Sequence, residues 1–117
     1  MKRIIVIIAA LTLFAAGAGA QKAGQQNHVI GFYNLENLFD VYDDPAKNDE
    51  EFLPDGTNKG TEAKYQKKLQ NMAKVIRAMK DENGSWHALL GVSEIENRLV
   101  LEDLVMEPQI AEANYQI

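Results

Sequence analysis

Apolar and polar positions along this chain switch between a strand-like and a helix-like period, and the switches mark out its elements. Val29 to Tyr33 is rich in β-branched and aromatic residues and predicts a strand. Leu35, Leu38 and Phe39 follow at helical spacing, which predicts a short helical turn capping that strand. Asp40 to Gly60 is polar, is broken by Pro45, Pro54 and Gly56, and reads as a long surface loop with a turn at Pro54-Asp55-Gly56. Tyr65, Leu69, Met72, Ala73, Ile76 and Met79 then fall on one face of a helix. Thr61 is placed to cap its start, Glu62 sits favourably in its first turn, and Asn83-Gly84 suits a left-handed exit. Trp86 to Val92 is apolar with almost no alternation, as in a strand buried on both faces. Asn97 can cap a second helix carrying Val100, Leu101, Leu104 and Val105, with Pro108 at its exit, and Asn114 to Ile117 resembles the opening of a third strand. Strands and helices in this order indicate an α/β domain. Two helices are too few to cover both faces of its sheet, so the chain is expected to form the first part of a larger domain.

The first twenty residues stand outside that pattern. Lys2 and Arg3 precede a continuous apolar stretch from Ile4 to Phe14, and Ala18-Gly19-Ala20 offers a small-residue cleavage site. This is the layout of a secretory signal peptide, here residues 1–20, followed by a polar, flexible mature start from Gln21 to Asn27. The apolar stretch is about half the ~20 residues a spanning helix needs, so no stable membrane insertion is expected after cleavage. With no Cys, the chain has neither a disulfide framework nor a lipid-modified Cys at its start. Export without disulfides suits a bacterial periplasm or exterior.

The whole chain carries a net charge of −5, and without the signal segment it is more acidic still. Such a chain is a poor general binder of polyanions, because sequence-independent nucleic-acid affinity comes from Lys and Arg. Lys64, Lys67, Lys68, Lys74, Arg77 and Lys80 do crowd one segment, and on composition they read as a solvated helix face. The acidic residues of the long loop, from Asp43 to Asp55, cannot be laid on a calcium-loop register.

The candidate chemistry lies at two strand ends. Each apolar run stops at a polar residue, Asn34 in the first and Glu94 in the second. Ligands of open α/β sheets sit beyond the carboxyl ends of strands, so the two can meet although they are far apart in sequence. A carboxylate there suits Mg²⁺, which takes oxygen ligands, is held by one or two carboxylates and completes its shell with water and substrate phosphate. Asn34 can orient a phosphate or a carboxylate without adding charge. Spacing alone favours the plainer reading of Glu94, an acidic residue facing water at a strand end. Glu36 and Glu96, each two residues further on, can reach the same cleft or lie at the surface. His28 and His87 sit at the wrong ends of their strands. No nucleophile pair, phosphate-cradling glycine loop or zinc cluster is present in the sequence.

Phe32-Tyr33-Asn34-Leu35-Glu36-Asn37-Leu38-Phe39-Asp40 and Gly91-Val92-Ser93-Glu94-Ile95-Glu96-Asn97-Arg98 resemble the first two motifs of the endonuclease/exonuclease/phosphatase family. Asp49 to Gly56 and Tyr65 to Ile76 look like its exported bacterial branch, and the resemblance runs from about Val29 to the end of the chain. It implies the N-terminal portion of a four-layer α/β sandwich with mixed sheets, residues 21–117 being an incomplete domain. It also implies metal-dependent hydrolysis of phosphodiester or phosphomonoester bonds, with Mg²⁺ or Mn²⁺ as cofactor and a phosphate ester, nucleic acid among them, as substrate. By the same resemblance Glu94 matches the metal-binding Glu, Asn34 matches the Asn lining the catalytic centre, and Glu36 is a looser match to an acidic residue near the metal. The family's later G-D-x-N and S-D-H motifs do not occur in this sequence, so the chain alone is expected to be inactive. A non-catalytic exported binding module and a phospholipid-cleaving member of the family are the alternatives.

Overall fold

The computed structural model describes residues 26–117; the expected signal segment 1–20 and residues 21–25 of the polar start lie outside the described residues. The elements are β1 (Val29–Leu38), α1 (Glu62–Asn83), β2 (His87–Ile95) and α2 (Arg98–Val105), with single 3-10 turns at Glu50–Phe52 and Ala111–Ala113. β1 and β2 pair in parallel as a two-stranded sheet. The long loop and α1 together form the crossover that a parallel pair requires.

The caps act as their sequence predicts. Thr61 takes an extended backbone and its hydroxyl accepts from Lys64 N–H, while Asn97 caps α2 by accepting from Val100 N–H at 3.1 Å. Each such cap contributes about 1 kcal/mol. Gly84 ends α1 at φ +79, where an L side chain is strained, and its N–H returns to Lys80 O. Gly56 N–H closes the Pro54-Asp55 turn onto Leu53 O at 2.9 Å.

Both helices lie on one side of the sheet. Tyr65, Leu69, Met72, Ala73 and Ile76 of α1 and Val100 and Leu104 of α2 form the core with Leu35, Leu38 and Ile110. Tyr33, Leu90 and Val92 pack against that core from the strands, and Tyr65 Oη donates to Asp103 at 2.7 Å, tying α1 to α2.

The structure corrects three expectations. β2 is not covered on both faces: Ile30 (70% exposed), Phe32 (70%) and Leu89 (64%) present the opposite face of the sheet to solvent. Asn114 to Ile117 form no strand; Asn114 is left-handed, and Tyr115 turns edge-on to Trp86 at 6.3 Å between ring centroids. No helical turn caps β1 either. The strand runs on to Leu38, and Glu36 and Asn37 are both left-handed, at φ 51° and 58°. From Asn34 to Leu38 β1 takes four steps where β2, from Ser93 to Ile95, takes two. The extra residues form a bulge that turns both Leu35 and Leu38 inward, each fully buried. A spacing of three between two core leucines thus arises in a strand.

Candidate functional site

Because β1 and β2 are parallel neighbours, their carboxyl ends lie side by side. Asn34 and Glu94 meet there across 60 residues of sequence, with Asn34 Nδ2 donating to Glu94 Oε1 at 2.8 Å. Strand alternation accounts for Asn34, which shares the solvent face with Ile30 and Phe32. It does not account for Glu94. Ser93 is the register partner of Asn34, so a regular strand would send the next side chain towards the helices. Glu94 instead adopts a left-handed backbone at φ 56°, and its exposed side chain comes round to Asn34.

A left-handed non-glycine residue costs on the order of 1–2 kcal/mol. Five are present among the described residues, and Glu36, Asn37 and Glu94 are three of them. Backbone strain of this kind persists where surrounding bonds over-determine it, and it gathers at functional sites. Here the bonds are identifiable. Asn34 Oδ1 accepts from Glu36 N–H at 2.7 Å, which commits the amide oxygen and leaves Nδ2 to face Glu94. From α1, the Lys68 ammonium donates to the carbonyls of both Glu36 and Asn37. Burial lowers the Lys68 pKa, while the charges of Glu36 and Glu94 oppose that shift. Both carboxylates therefore act on one ammonium.

The donor set suits a hard cation held by few protein groups. Among the described residues, the second oxygen of Glu94 accepts no side-chain hydrogen bond and Glu94 forms no ion pair. Also among the described residues, no three His, Cys, Asp or Glu side chains gather tightly enough to hold a metal by themselves. One exposed carboxylate with a free oxygen is a fragment of the shell that Mg²⁺ completes with water and phosphate oxygens. Asn34, with its oxygen turned to Glu36, orients Glu94 in this arrangement. Glu36 stands exposed on the bulge beside them.

Glu96, the other carboxylate considered for this cleft, points elsewhere. It is only 9% exposed, and its Oε2 accepts from Asp40 N–H at 3.0 Å. Asp40 in turn accepts from Asn97 Nδ2 at 3.1 Å and from Tyr42 N–H at 2.8 Å. Asp49, 1% exposed, lies against the Glu96 carboxyl and accepts from Asp44 N–H. Lys47 donates to the Glu96 backbone carbonyl. Burial pushes the Glu96 pKa up to about 7; the Asp40 N–H works against this, and the Asp49 carboxyl and the charges of Asp40 and Asp49 add to it. This network fastens the long loop beneath the site. Sequence reasoning missed it, although Asp40 and Glu96 both stand inside the two motifs.

The remaining candidates lie away from the site. His87 is buried at the start of β2 against Gly31, and His28 is exposed just before β1. The basic residues of α1 do not form one surface. Arg77 pairs with Asp81 and Glu112 and, with Lys80, lies over the Trp86 ring, whereas Lys68 turns to the bulge. A cavity of about 250 Å³ opens beside the bulge, lined by Glu36, Asn37, Lys64 and Lys68 over the stacked rings of Phe39 and Phe52.

A family model described as "Endonuclease/Exonuclease/phosphatase family" matches residues 29–117. No curated protein and no solved structure matches the chain.

Proposed function

The chain belongs to the endonuclease/exonuclease/phosphatase family, and from that membership we propose that it carries the metal-holding part of a phosphoesterase site, with Glu94 as the cation ligand, Asn34 as its orienting partner and Glu36 as a second carboxylate beside them. Members of this family are hydrolases acting on phosphoester bonds and generally use divalent metal ions. The observation that carries the reading is the 2.8 Å bond between Asn34 and Glu94, made at the carboxyl ends of parallel strands through a left-handed backbone at Glu94. A regular strand end would not make it.

A Mg²⁺ or Mn²⁺ ion bound here supplies charge that polarises phosphoryl oxygens and stabilises the transition state. Glu94 presents its free oxygen outward. Asn34 limits the rotation of that carboxylate by occupying Oε1, and Glu36 adds negative charge without forming an ion pair among the described residues. The groups that would position water and contact the phosphate are not assigned to this chain, since its two histidines lie at the opposite ends of the strands. Nucleic acid and smaller phosphate esters are the substrate classes in view. Export is part of the proposal, with processing after Ala20; an intact mass beginning at Gln21 in the exported product tests it, and a soluble product retaining residues 1–20 refutes it.

Glu94→Gln keeps the side-chain shape and removes its charge. Mn²⁺ binding followed by electron paramagnetic resonance should weaken at least about tenfold. Hydrolysis of bis(p-nitrophenyl) phosphate by protein that contains the site and turns this substrate over should fall at least about a hundredfold. Unchanged Mn²⁺ affinity would remove Glu94 from the metal site.

A further inference from the structure

Lys68 belongs to a different element from Asn34 and Glu94, yet it reaches the two residues on which their geometry depends. Glu36 and Asn37 are inserted in β1 relative to β2, and both are left-handed. Asn37 is of a residue type that tolerates this conformation but Glu36 is not, and among the described residues neither side chain makes a hydrogen bond or ion pair that would hold it. Their carbonyls, however, converge on one group, the Lys68 ammonium, which bonds Asn37 O at 2.8 Å and Glu36 O as well. Two adjacent carbonyls turned to the same side present paired partial negative charges, and a cation between them offsets the cost of that backbone. Lys68 is fixed in turn by its helix, since Leu69 and Tyr65 beside it are buried in the core.

The consequence for the site runs through one further bond. The bulge sets the Glu36 N–H against Asn34 Oδ1 at 2.7 Å, and this bond decides which end of the Asn34 amide faces Glu94. Without it the amide is free to reverse, and an oxygen in place of the NH₂ group would repel the Glu94 carboxylate.

We propose that Lys68 is a positioning residue for the Asn34–Glu94 site, holding the Glu36–Asn37 bulge by its two carbonyls so that Asn34 aims its amide nitrogen at Glu94. This rests on the metal-site reading above. The choice of acceptors matters: by bonding carbonyls, Lys68 sets a positive charge beside Glu36 and Glu94 while leaving both carboxylates unpaired by any ion pair among the described residues.

Charge and positioning predict opposite results, and this separates them. If Lys68 acted only as a nearby charge, its removal would relieve repulsion and tighten cation binding. As a positioning residue, its removal weakens binding. The full chain is compared as wild type, Lys68→Met, Lys68→Arg and Glu94→Gln, with two readouts: Mn²⁺ affinity by electron paramagnetic resonance and, without metal, hydrogen exchange of the Glu36 amide by NMR. Lys68→Met should weaken Mn²⁺ binding and speed Glu36 exchange, each about tenfold, while amides of the α1 core keep their protection. Lys68→Arg, whose guanidinium also spans two carbonyls, should restore most of both. Unchanged Glu36 exchange in Lys68→Met, or tighter Mn²⁺ binding, overturns the proposal. Failure of the metal reading is seen separately, as Mn²⁺ binding that Glu94→Gln leaves intact; the metal-free Glu36 exchange still decides the role of Lys68. If Lys68→Met loses its fold, Lys68→Arg decides: slower or unchanged Glu36 exchange supports the carbonyl bridge, and exchange as fast as in unfolded chain overturns it.

Discussion

Asp40 and Glu96 lie 56 residues apart and are joined by a hydrogen bond from the Asp40 N–H to Glu96 Oε2 at 3.0 Å, inside a cluster that also buries Asp49. One oxygen of Glu96 and one of Asp49 have no hydrogen-bond partner. Burial, together with the Asp49 carboxyl and the charges of Asp40 and Asp49, pushes the Glu96 pKa up to about 7, and a proton held by the pair lets one carboxyl donate to the other.

The sign of the resulting pH dependence follows directly. The folded chain binds this proton more tightly than the unfolded chain, whose Glu titrates near 4.5. The stabilisation is complete below that value and is lost as pH rises through about 7. Glu96→Gln keeps the acceptor for Asp40 N–H and gives Asp49 a permanent donor. Above pH 7 the variant should therefore be the more stable by on the order of 2 kcal/mol, and the two proteins should converge towards pH 4.5. Urea melts across pH 4.5–8, run with a chelator to exclude metal at Glu94, check this. Parallel curves for the two proteins would rule out the shared proton.

Asn34→Ala removes the group that holds Glu94 Oε1 but leaves the carboxylate itself. Turnover on bis(p-nitrophenyl) phosphate, in protein that contains the site and hydrolyses this substrate, should fall roughly tenfold to a hundredfold. Saturating Mn²⁺ should not restore it, because the defect is one of orientation. Full rescue by added metal would instead assign Asn34 to the ligand shell.

How much of this was legible in the sequence depends on how local each cause is. The α1 stripe, both N-caps and the Gly84 exit are short-range signals, and they read correctly. So did the meeting of Asn34 and Glu94, since parallel strands bring their carboxyl ends together. The bulge did not. Leu35 and Leu38 imitate a helical period, and the left-handed pair between them carries no glycine to announce it. Lys68 was read as a solvated lysine because its two acceptors are backbone carbonyls more than thirty residues away, which no spacing rule encodes. Glu96 stands two positions from Glu94 in the same motif, yet the left-handed backbone at Glu94 sends that carboxylate out while Glu96 points inward.

Gly60 tests the packing of the long loop. A Cβ built there would sit 1.7 Å from Phe52 O, a backbone atom that cannot swing aside as a side chain would. Gly60→Ala must displace the 3-10 turn at Glu50–Phe52 and with it the Phe39–Phe52 stack, whose ring centroids are 4.1 Å apart. A loss of about 2 kcal/mol is expected, whereas Lys59→Ala next to it should cost little. Equal stability of Gly60→Ala and wild type in denaturant melts would show that the loop is looser than its contacts indicate.

The open face of the sheet makes the last prediction, because core and solvent alternate along one short strand. Ile30 and Phe32 face water, and Leu89 lies opposite Ile30 in the register, so three large apolar side chains stand together on an uncovered surface. Leu35, three residues beyond Phe32, is fully buried against the helices. Threonine suits a strand at any of these positions, which isolates burial as the variable. In the chain studied alone, the Ile30→Thr/Phe32→Thr double change should shift stability by less than about 1 kcal/mol, as surface substitutions do. It should also sharply lower the fluorescence of an apolar-surface dye such as ANS, because the patch that binds the dye is gone. Leu35→Thr should cost about 3 kcal/mol by opening the core and adding an unpaired hydroxyl. The contrast is what matters: a double variant as destabilised as Leu35→Thr, or one that binds the dye as wild type does, would mean that this face is covered in solution.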